Sequence, residues 1–338
     1  MRDREDIRMC TAIVFTGKKG EAFFGRTMDF SYPLHPQLFA VSAGYQWKGS
    51  LGQKMSSEIG FLAIGQEFEN LRILVDGVNE KGVAGAALYF AGYADFEKTA
   101  PKDGKKTIRG SLDVLPDILG NCSCLEEVED RARKLAIVGA ADPVTGMVAP
   151  LHWMFTDRTG RSLVMEKTVW GLDLYENPVG VLANSPDFPW QLTNLRNYTG
   201  VTSTQKEEAE WDFLKLVPFG QGAGTFSLPG GYTSPARFVR TVFLKTHVKI
   251  PDSRQKIVPE CFHIMESVSI PKGTVMTARG TADYTQYTAF MDLQSGDYYV
   301  KTYDNYQLLK VRMCEHLPKD GTYQKLGDLE IPMEYASM

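Results

Sequence analysis

Two apolar segments joined by a tight turn lie near the start of the chain. Residues 10–16 are mostly apolar, Gly17-Lys18-Lys19-Gly20 supplies turn residues, and residues 21–28 run back. This pattern predicts a β-hairpin, because strands linked by so few residues pair antiparallel. The same pattern recurs at residues 152–156 with 161–167, and at 286–292, 297–303 and 306–313. The chain is therefore expected to build antiparallel sheets.

Further strands are predicted at residues 38–43, 59–65, 71–75 and 83–90. Three helices are predicted as well. One follows a capping box formed by Ser123 and Glu126, with Leu125, Val128, Ala132 and Leu135 at helical spacing. Another has Ser234 as its N-cap and Pro235 as its first helical residue and runs to about His247. A third runs from Pro259 to near Ser269. Antiparallel sheets with helices on their outer faces predict an α+β fold, a four-layer αββα sandwich.

Composition excludes several classes of protein. The formal net charge of the 338 residues is -4 and no basic block is present, which argues against a nucleic-acid partner. No apolar run approaches the roughly 18 residues of a membrane span. The five cysteines are too sparse for a disulfide framework, and the first nine residues contain no apolar signal segment, so a cytoplasmic location is expected. Scattered histidines and the Cys122/Cys124 spacing predict no metal site, and no cofactor motif is present.

The residues around Cys10 carry the chemical signal. Met9-Cys10-Thr11-Ala12 is followed by Gly25-Arg26-Thr27-Met28-Asp29-Phe30. Further blocks follow in chain order: Asp76-Gly77-Val78-Asn79-Glu80-Lys81-Gly82, Leu151-His152-Trp153, Asn184-Ser185-Pro186, Phe219-Gly220-Gln221-Gly222, Leu228-Pro229-Gly230, Thr233-Ser234-Pro235-Ala236-Arg237-Phe238 and Tyr284-Thr285-Gln286-Tyr287-Thr288. Together they resemble the choloylglycine hydrolase family of penicillin V acylases and bile-salt hydrolases, over nearly the whole chain.

The resemblance implies an N-terminal-nucleophile amidase that uses no cofactor. Cys10 would attack the amide carbonyl, and its own α-amino group would serve as general base. Arg26 would favour the thiolate, Asp29 would accept a hydrogen bond from the α-amine, and the Asn184 side-chain amide would contribute to an oxyanion hole. Arg237 would belong to the same site. By base rate alone, Cys10 is a buried small residue and Asn184 is a turn former. Arg26 is then a solvated strand cation or part of an ion pair, Asp29 a turn or ion-pair carboxylate, and Arg237 an ordinary surface arginine.

The N-terminus departs from the family pattern, because an N-terminal nucleophile must be the first residue of the mature chain. Nine residues precede Cys10. Residues 1–9 are therefore expected to be a propeptide or extra segment that is removed, or Met9 is the true start, and residues 10–338 form one amidase domain. A smaller departure is Ala183, where the family has threonine.

Tyr89 bears on the substrate. In the family, asparagine at this position is typical of bile-salt hydrolases and tyrosine of penicillin V acylases, so Tyr89 favours phenoxyacetyl amides. The alternatives are a conjugated bile-salt hydrolase, an acyl-homoserine lactone acylase and, from another class, a non-catalytic binding β-sandwich, for which Tyr89 is only a strand aromatic. The expected partners are a small-molecule amide and three further copies of the chain in a homotetramer.

Overall fold

The computed structural model describes residues 9–69, 71–101, 104–143, 145–335 and 337. Most of the expected N-terminal propeptide, residues 1–8, therefore lies outside the described residues. The strands are β1 (Met9–Thr16), β2 (Ala22–Phe30), β3 (Gln37–Val41), β4 (Gln46–Lys48), β5 (Lys54–Ser56), β6 (Phe61–Phe68), β7 (Leu71–Asn79), β8 (Ala84–Tyr89), β9 (Thr107–Gly110), β10 (Leu135–Val138), β11 (Leu151–Thr156), β12 (Ser162–Thr168), β13 (Gly171–Glu176), β14 (Val181–Leu182), β15 (Ala209–Trp211), β16 (Leu214–Leu216), β17 (Val275–Met276), β18 (Ala282–Asp292), β19 (Tyr298–Thr302), β20 (Leu309–Val311) and β21 (Tyr323–Asp328).

The α-helices are α1 (Val114–Leu119), α2 (Leu125–Arg133), α3 (Phe188–Asn194), α4 (Ser234–His247), α5 (Arg254–Glu266) and α6 (Met313–His316). Two short 3₁₀ helices cover Leu195–Tyr198 and Ala223–Thr225. Within the described ranges, none of the helices is long and apolar enough to cross a membrane.

Two antiparallel sheets form the centre of the molecule. The first has the strand order β14-β1-β2-β18-β19-β20, with β17 added beside β18, and we call it the Cys10 sheet because β1 carries Cys10. The second, called the facing sheet, has the order β13-β12-β11-β8-β7-β6-β3-β21. Helices α4 and α5 pack on the outer side of the Cys10 sheet, and α1 and α2 pack on the outer side of the facing sheet. This arrangement confirms the predicted αββα sandwich.

Alternation along β11 and β12 shows how the facing sheet serves two cores. Met154 and Val164 belong to the cluster between the two sheets, whereas Trp153 and Met165 belong to the cluster under α1 and α2. Successive side chains of a strand point to opposite faces, so both faces of this sheet are apolar. His152 therefore shares the inner face with Met154.

Two helix starts differ from the sequence predictions. Helix α5 begins at Arg254, five residues before Pro259, because Ile257 and Val258 are buried and their packing outweighs the hydrogen bond that proline removes. Ser123 bonds Glu127 through both its backbone nitrogen and its hydroxyl, so the predicted capping partner Glu126 is wrong by one residue.

Two further helix boundaries need correction, the C-terminal end of α2 and the N-cap of α4. Leu135 opens β10 and does not continue α2. The N-cap of α4 is Thr233, whose hydroxyl accepts from the Ala236 nitrogen, and Ser234 is already helical.

Candidate active site

Cys10 lies at the start of β1, on a strand that is paired on both sides. β1 pairs with β2 over its whole length, with Cys10 opposite Met28, and with β14 at Ala12 and Ile13. The cysteine is only 3% exposed. Since the sheet fixes the backbone, the direction of the thiol is set by the fold and not by a mobile chain end.

Arg26 reaches the thiol from the neighbouring strand. Its Nη2 donates to Cys10 Sγ at 2.6 Å, while Nη1 donates to the carbonyl oxygens of Val75 at 3.1 Å and Ala87 at 3.0 Å on the facing sheet. The guanidinium is fully buried between the sheets. Burial alone favours neutral arginine, but Cys10, Tyr287 and Asp76 outweigh it and raise the pKa of Arg26, so the cation persists.

Asp76 was not assigned a role from the sequence, although it opens the Asp76–Gly82 block. Its Oδ2 lies 3.8 Å from Arg26 Nη1, and its oxygens accept from the hydroxyls of Tyr287 at 2.5 Å and Tyr298 at 3.0 Å. The rest of the block builds the β7–β8 turn, where Asn79 Oδ1 accepts hydrogen bonds from two backbone nitrogens and Gly82 adopts φ +88°. The block itself was the only signal, because Tyr287 is 211 residues away.

Asn184 and Arg237 reach Cys10 from the side opposite Arg26. Asn184 Oδ1 accepts from the Cys10 backbone nitrogen at 2.7 Å and from Arg237 Nη2 at 2.6 Å. Arg237 Nη1 also donates to the Cys10 carbonyl oxygen at 2.6 Å and to the Thr11 hydroxyl. Asn184 Nδ2, the group expected to serve an oxyanion hole, donates to the Tyr89 carbonyl oxygen at 2.8 Å. Desolvation lowers the pKa of Arg237, and Asp29 opposes that shift.

Asp29 is buried one strand away from the thiol. Its oxygens accept from the hydroxyls of Thr285 at 2.5 Å and Thr27 at 3.3 Å, and its Oδ2 lies 3.9 Å from Arg237 Nη1. In this structure, with Met9 attached, the Cys10 nitrogen bonds Asn184 and not the Asp29 carboxylate, which is the partner that the sequence predicted. Burial raises the pKa of Asp29, and the charge of Arg237 counteracts this.

Opposing influences act on the thiol itself. Desolvation has the largest effect and raises the pKa of Cys10, and the negative charge of Asp29 also raises it. The positive charges of Arg26 and Arg237 lower this pKa, as does a hydrogen bond with the Asp29 backbone. The net direction is upward. Among these groups Arg26 gives the largest opposing effect, so it is the residue best placed to activate a thiolate.

Two separate spaces lie near Cys10, one lined by Cys10 itself and the other by its neighbours Met9 and Asn184. An apolar cavity of about 70 Å³ is lined by Cys10 and Arg26 and by the rings of Phe30, Tyr32 and Tyr89 among others. The larger cleft, of about 870 Å³, is bordered by Met9, Asn184 and the first residues of α4. A linear amide whose carbonyl lies at Cys10 can therefore place one of its groups in the apolar cavity.

The structure thus brings all six predicted site residues together at the Cys10 thiol. Cys10, Arg26, Asn184 and Arg237 are in direct contact, Asp29 joins them through Arg237, and Tyr89 reaches them through its carbonyl and the cavity wall. Within the part of the chain that the structure describes, no group of three or more histidine, cysteine or acidic residues could hold a metal ion.

Comparison with known proteins identifies the family that the sequence motifs resemble. The family model described as linear amide C-N hydrolases, choloylglycine hydrolase family, matches residues 10–325. The chain is 33% identical to the bile salt hydrolase/transferase of Clostridium perfringens over 90% of its own length and 92% of the relative. A crystal structure of a mutant conjugated bile acid hydrolase from the same organism superposes with a TM-score of 0.90 at 29% identity, covering 97% of this chain and 99% of the other.

A penicillin V acylase from Pectobacterium atrosepticum is more distant, at 24% identity over 94% of this chain and 85% of the relative. The expected family and the enzyme class are confirmed, and the bile-salt alternative is better supported than the penicillin V preference. The chain belongs to the choloylglycine hydrolase family, whose members hydrolyse linear amide C–N bonds.

Proposed function

We propose that this enzyme hydrolyses the amide bond of conjugated bile acids, with Cys10 as the nucleophile. The observation that carries the catalytic part is the 2.6 Å contact between Arg26 Nη2 and Cys10 Sγ, at the wall of an apolar cavity. The substrate class rests on the 33% identity to a bile salt hydrolase/transferase, against 24% to a penicillin V acylase.

In the proposed reaction the Cys10 thiol gives its proton to the α-amino group of the same residue as Sγ attacks the carbonyl carbon. The tetrahedral intermediate collapses, the C–N bond breaks, and the departing nitrogen takes that proton, which leaves a thioester on Sγ. Water then attacks the thioester, and the acid and the free thiol are released. Arg26 favours the thiolate, and Asn184 with Arg237 fixes the Cys10 backbone and contributes to oxyanion stabilisation.

This mechanism requires removal of residues 1–9, since the nitrogen of a peptide bond cannot act as a base. Two facts support that proposal: the family match begins at Cys10, and Met9 lies against the large cleft, where a departing segment has room. We expect the mass of active protein to correspond to a chain that begins at Cys10. Full activity in a preparation that begins uniformly at Met1 would overturn the N-terminal-nucleophile mechanism.

If Cys10 itself cleaves the Met9–Cys10 bond, the Cys10→Ala variant will retain residues 1–9. If a protease of the expression host removes this segment, the variant will be shortened too. Intact mass distinguishes these routes.

Penicillin V is the second candidate substrate, and Tyr89 favours it. The Tyr89 ring lies 6.3 Å from the Phe30 ring in an edge-to-face arrangement at the cavity wall. Such a corner can take an aromatic ring, with each contact contributing about 0.5–1.5 kcal/mol.

The two substrates are separated by kcat/KM for glycocholate and penicillin V. We expect glycocholate to be preferred, and Tyr89→Asn to increase that preference, while Tyr306→Asn, at a position with an exposed side chain, leaves the ratio unchanged. A wild type that prefers penicillin V tenfold would replace the substrate assignment and leave the thiol mechanism intact.

We also propose that the chain self-associates, as expected for a homotetramer. The β15–β16 hairpin and the adjoining segment expose large apolar side chains, including Phe213 at 95% and Phe219 at 113% of their reference surface. A two-stranded hairpin of this kind is only marginally stable in water unless another surface covers its apolar side chains. Light scattering of the wild type and of a Phe213→Ser/Phe219→Ser double variant tests the proposal, with a smaller particle expected for the variant.

A further inference from the structure

A buried histidine–glutamate pair lies beside the loop that carries Asn184, and the proposed mechanism does not use it. His152 is on β11 and Glu166 is on the neighbouring strand β12, both on the facing sheet. Their side chains are 0% and 1% exposed, and His152 Nδ1 lies 3.1 Å from Glu166 Oε1. Buried groups of this polarity are costly unless every hydrogen-bonding atom has a partner.

The partners are the two ends of one short segment. His152 Nε2 bonds the carbonyl oxygen of Ala183 at 2.9 Å, and the Glu166 oxygens accept from the backbone nitrogen of Phe188 at 3.1 and 3.2 Å. Ala183 and Phe188 enclose the four residues 184–187, which we call the asparagine loop. The pair therefore binds the chain immediately before Asn184 and again four residues after it.

Hydrogen-bond chemistry fixes the direction of these contacts. The Ala183 carbonyl can only accept, so His152 Nε2 carries a hydrogen, and the Phe188 nitrogen can only donate, so Glu166 accepts. One further hydrogen lies between Nδ1 and the carboxyl group. The Phe90 ring stacks on the imidazole with centroids 4.4 Å apart and planes 6° apart, which fixes the plane of the histidine.

The asparagine loop also has its own contacts with the last residue of β8 and with the segment that follows it. The Ser185 hydroxyl donates to the Ala91 carbonyl at 2.7 Å, and Asn184 Nδ2 donates to the Tyr89 carbonyl at 2.8 Å. These bonds hold the middle of the loop, and the histidine–glutamate pair holds its ends. Asn184 Oδ1 then meets the Cys10 nitrogen, so an error of about 1 Å in the loop would separate groups that must act together.

We propose that His152 and Glu166 are positioning residues for catalysis, which set the place of Asn184 against Cys10 from the opposite sheet. This inference rests on the proposed amidase mechanism. Neither side chain contacts Cys10, and their effect passes through the loop backbone. They belong to the reaction because the loop they fix carries Asn184.

Glutamine and alanine at position 166 separate positioning from mere burial. In Glu166→Gln the amide oxygen can still accept from the Phe188 nitrogen while its NH₂ donates to Nδ1 of a neutral His152, so all contacts survive. We expect this variant to keep kcat within about threefold of wild type. Glu166→Ala removes both contacts, and we expect kcat to fall at least tenfold with KM within about twofold.

A matched control is Val164→Ala, on the same strand and inner face but without a bond to the loop. It should lose thermal stability and keep kcat. The rate of Cys10 alkylation by iodoacetamide should be unchanged in all three variants, because the Arg26 contact is on the other side of the thiol. If Glu166→Ala does not fold, His152→Gln provides the same test, with a loss of kcat expected.

The outcomes are distinct. A wild type that cleaves neither glycocholate nor penicillin V overturns the proposed function. An active wild type with Glu166→Ala or His152→Gln at full kcat overturns the positioning role, as does Glu166→Gln losing as much as Glu166→Ala.

Discussion

Two buried arginine–carboxylate pairs flank Cys10 and have almost the same dimensions. Arg26 lies 3.8 Å from Asp76, and Arg237 lies 3.9 Å from Asp29, with all four side chains at 0% exposure. Each carboxylate accepts from two hydroxyls, tyrosines for Asp76 and threonines for Asp29. At 4 Å and an effective dielectric of 20, such a pair attracts by about 4 kcal/mol.

The pairs differ in what the arginine reaches. Arg26 bonds the thiol, whereas Arg237 bonds the backbone carbonyl of the same residue and the Asn184 side chain. The pKa of Arg26 is raised by its anionic neighbours despite burial, while desolvation prevails for Arg237 and lowers its pKa. Equal geometry therefore serves two purposes: one cation adjusts the thiol, and the other holds the framework around it.

The largest expected effect comes from removing the Cys10 thiol, the group that Arg26 contacts. Cys10→Ala should abolish turnover and keep the fold, because a small buried residue replaces another. Circular dichroism and kcat for amide hydrolysis check this. Alanine at Cys122, Cys124, Cys261 or Cys314 should leave activity intact, and more than a few per cent of activity in Cys10→Ala would require another nucleophile.

Next in size are the two arginine substitutions. Arg26→Gln and Arg237→Gln should each reduce kcat/KM on the order of a hundredfold. When residues act as one catalytic unit, removing any one of them loses most of the rate that the unit provides. The exposed Arg279→Gln is the control and should stay within about twofold. Steady-state kinetics on one substrate measures all three, and retention of activity in either buried variant would remove that arginine from the site.

The carboxylates test whether the two pairs are equivalent in the folded state. Asp76→Asn and Asp29→Asn should each lower the free energy of unfolding by about 3 kcal/mol, because either change leaves a buried guanidinium without its counter-charge. Urea denaturation of a catalytically dead background measures both. A loss below about 1 kcal/mol in one variant would show that hydroxyls and carbonyls alone satisfy that arginine.

The finest distinction is the pH dependence of thiol alkylation in the unprocessed chain. Burial holds the pKa of Cys10 above its usual range, so the thiolate forms at higher pH than in a small-molecule thiol. The alkylation rate should therefore still rise above pH 9. Because Arg26 is the strongest group lowering that pKa, Arg26→Gln should move the profile to higher pH. Arg237→Gln should move it less. Equal displacements would contradict the division of roles.

Sequence patterns predicted the sandwich well where the signal is local. The hairpins β1–β2 and β11–β12 follow from apolar runs separated by a few turn residues. The start of α5 could not be predicted, because the burial of Ile257 and Val258 depends on a sheet that is distant in sequence.

The same limit applies to the site. The predicted residues Cys10, Arg26, Asn184 and Arg237 meet as one cluster, but the roles of Asp76 and His152 needed contacts between distant strands. Both residues were visible only as members of family-like blocks. Their partners, Tyr287 for one and the Ala183 carbonyl for the other, follow no spacing rule.

The position of β1 has a consequence for the proposed removal of residues 1–9. Protein termini usually fray, exchange their amide hydrogens quickly and are trimmed by exopeptidases. Here β1 pairs with β2 from Met9 onward and with β14 at Ala12 and Ile13, so cleavage between Met9 and Cys10 would create a terminus already paired with a neighbouring strand. Such an end would show slow hydrogen exchange from Thr11 onward and resist aminopeptidases, and its α-amine would keep one orientation through every turnover.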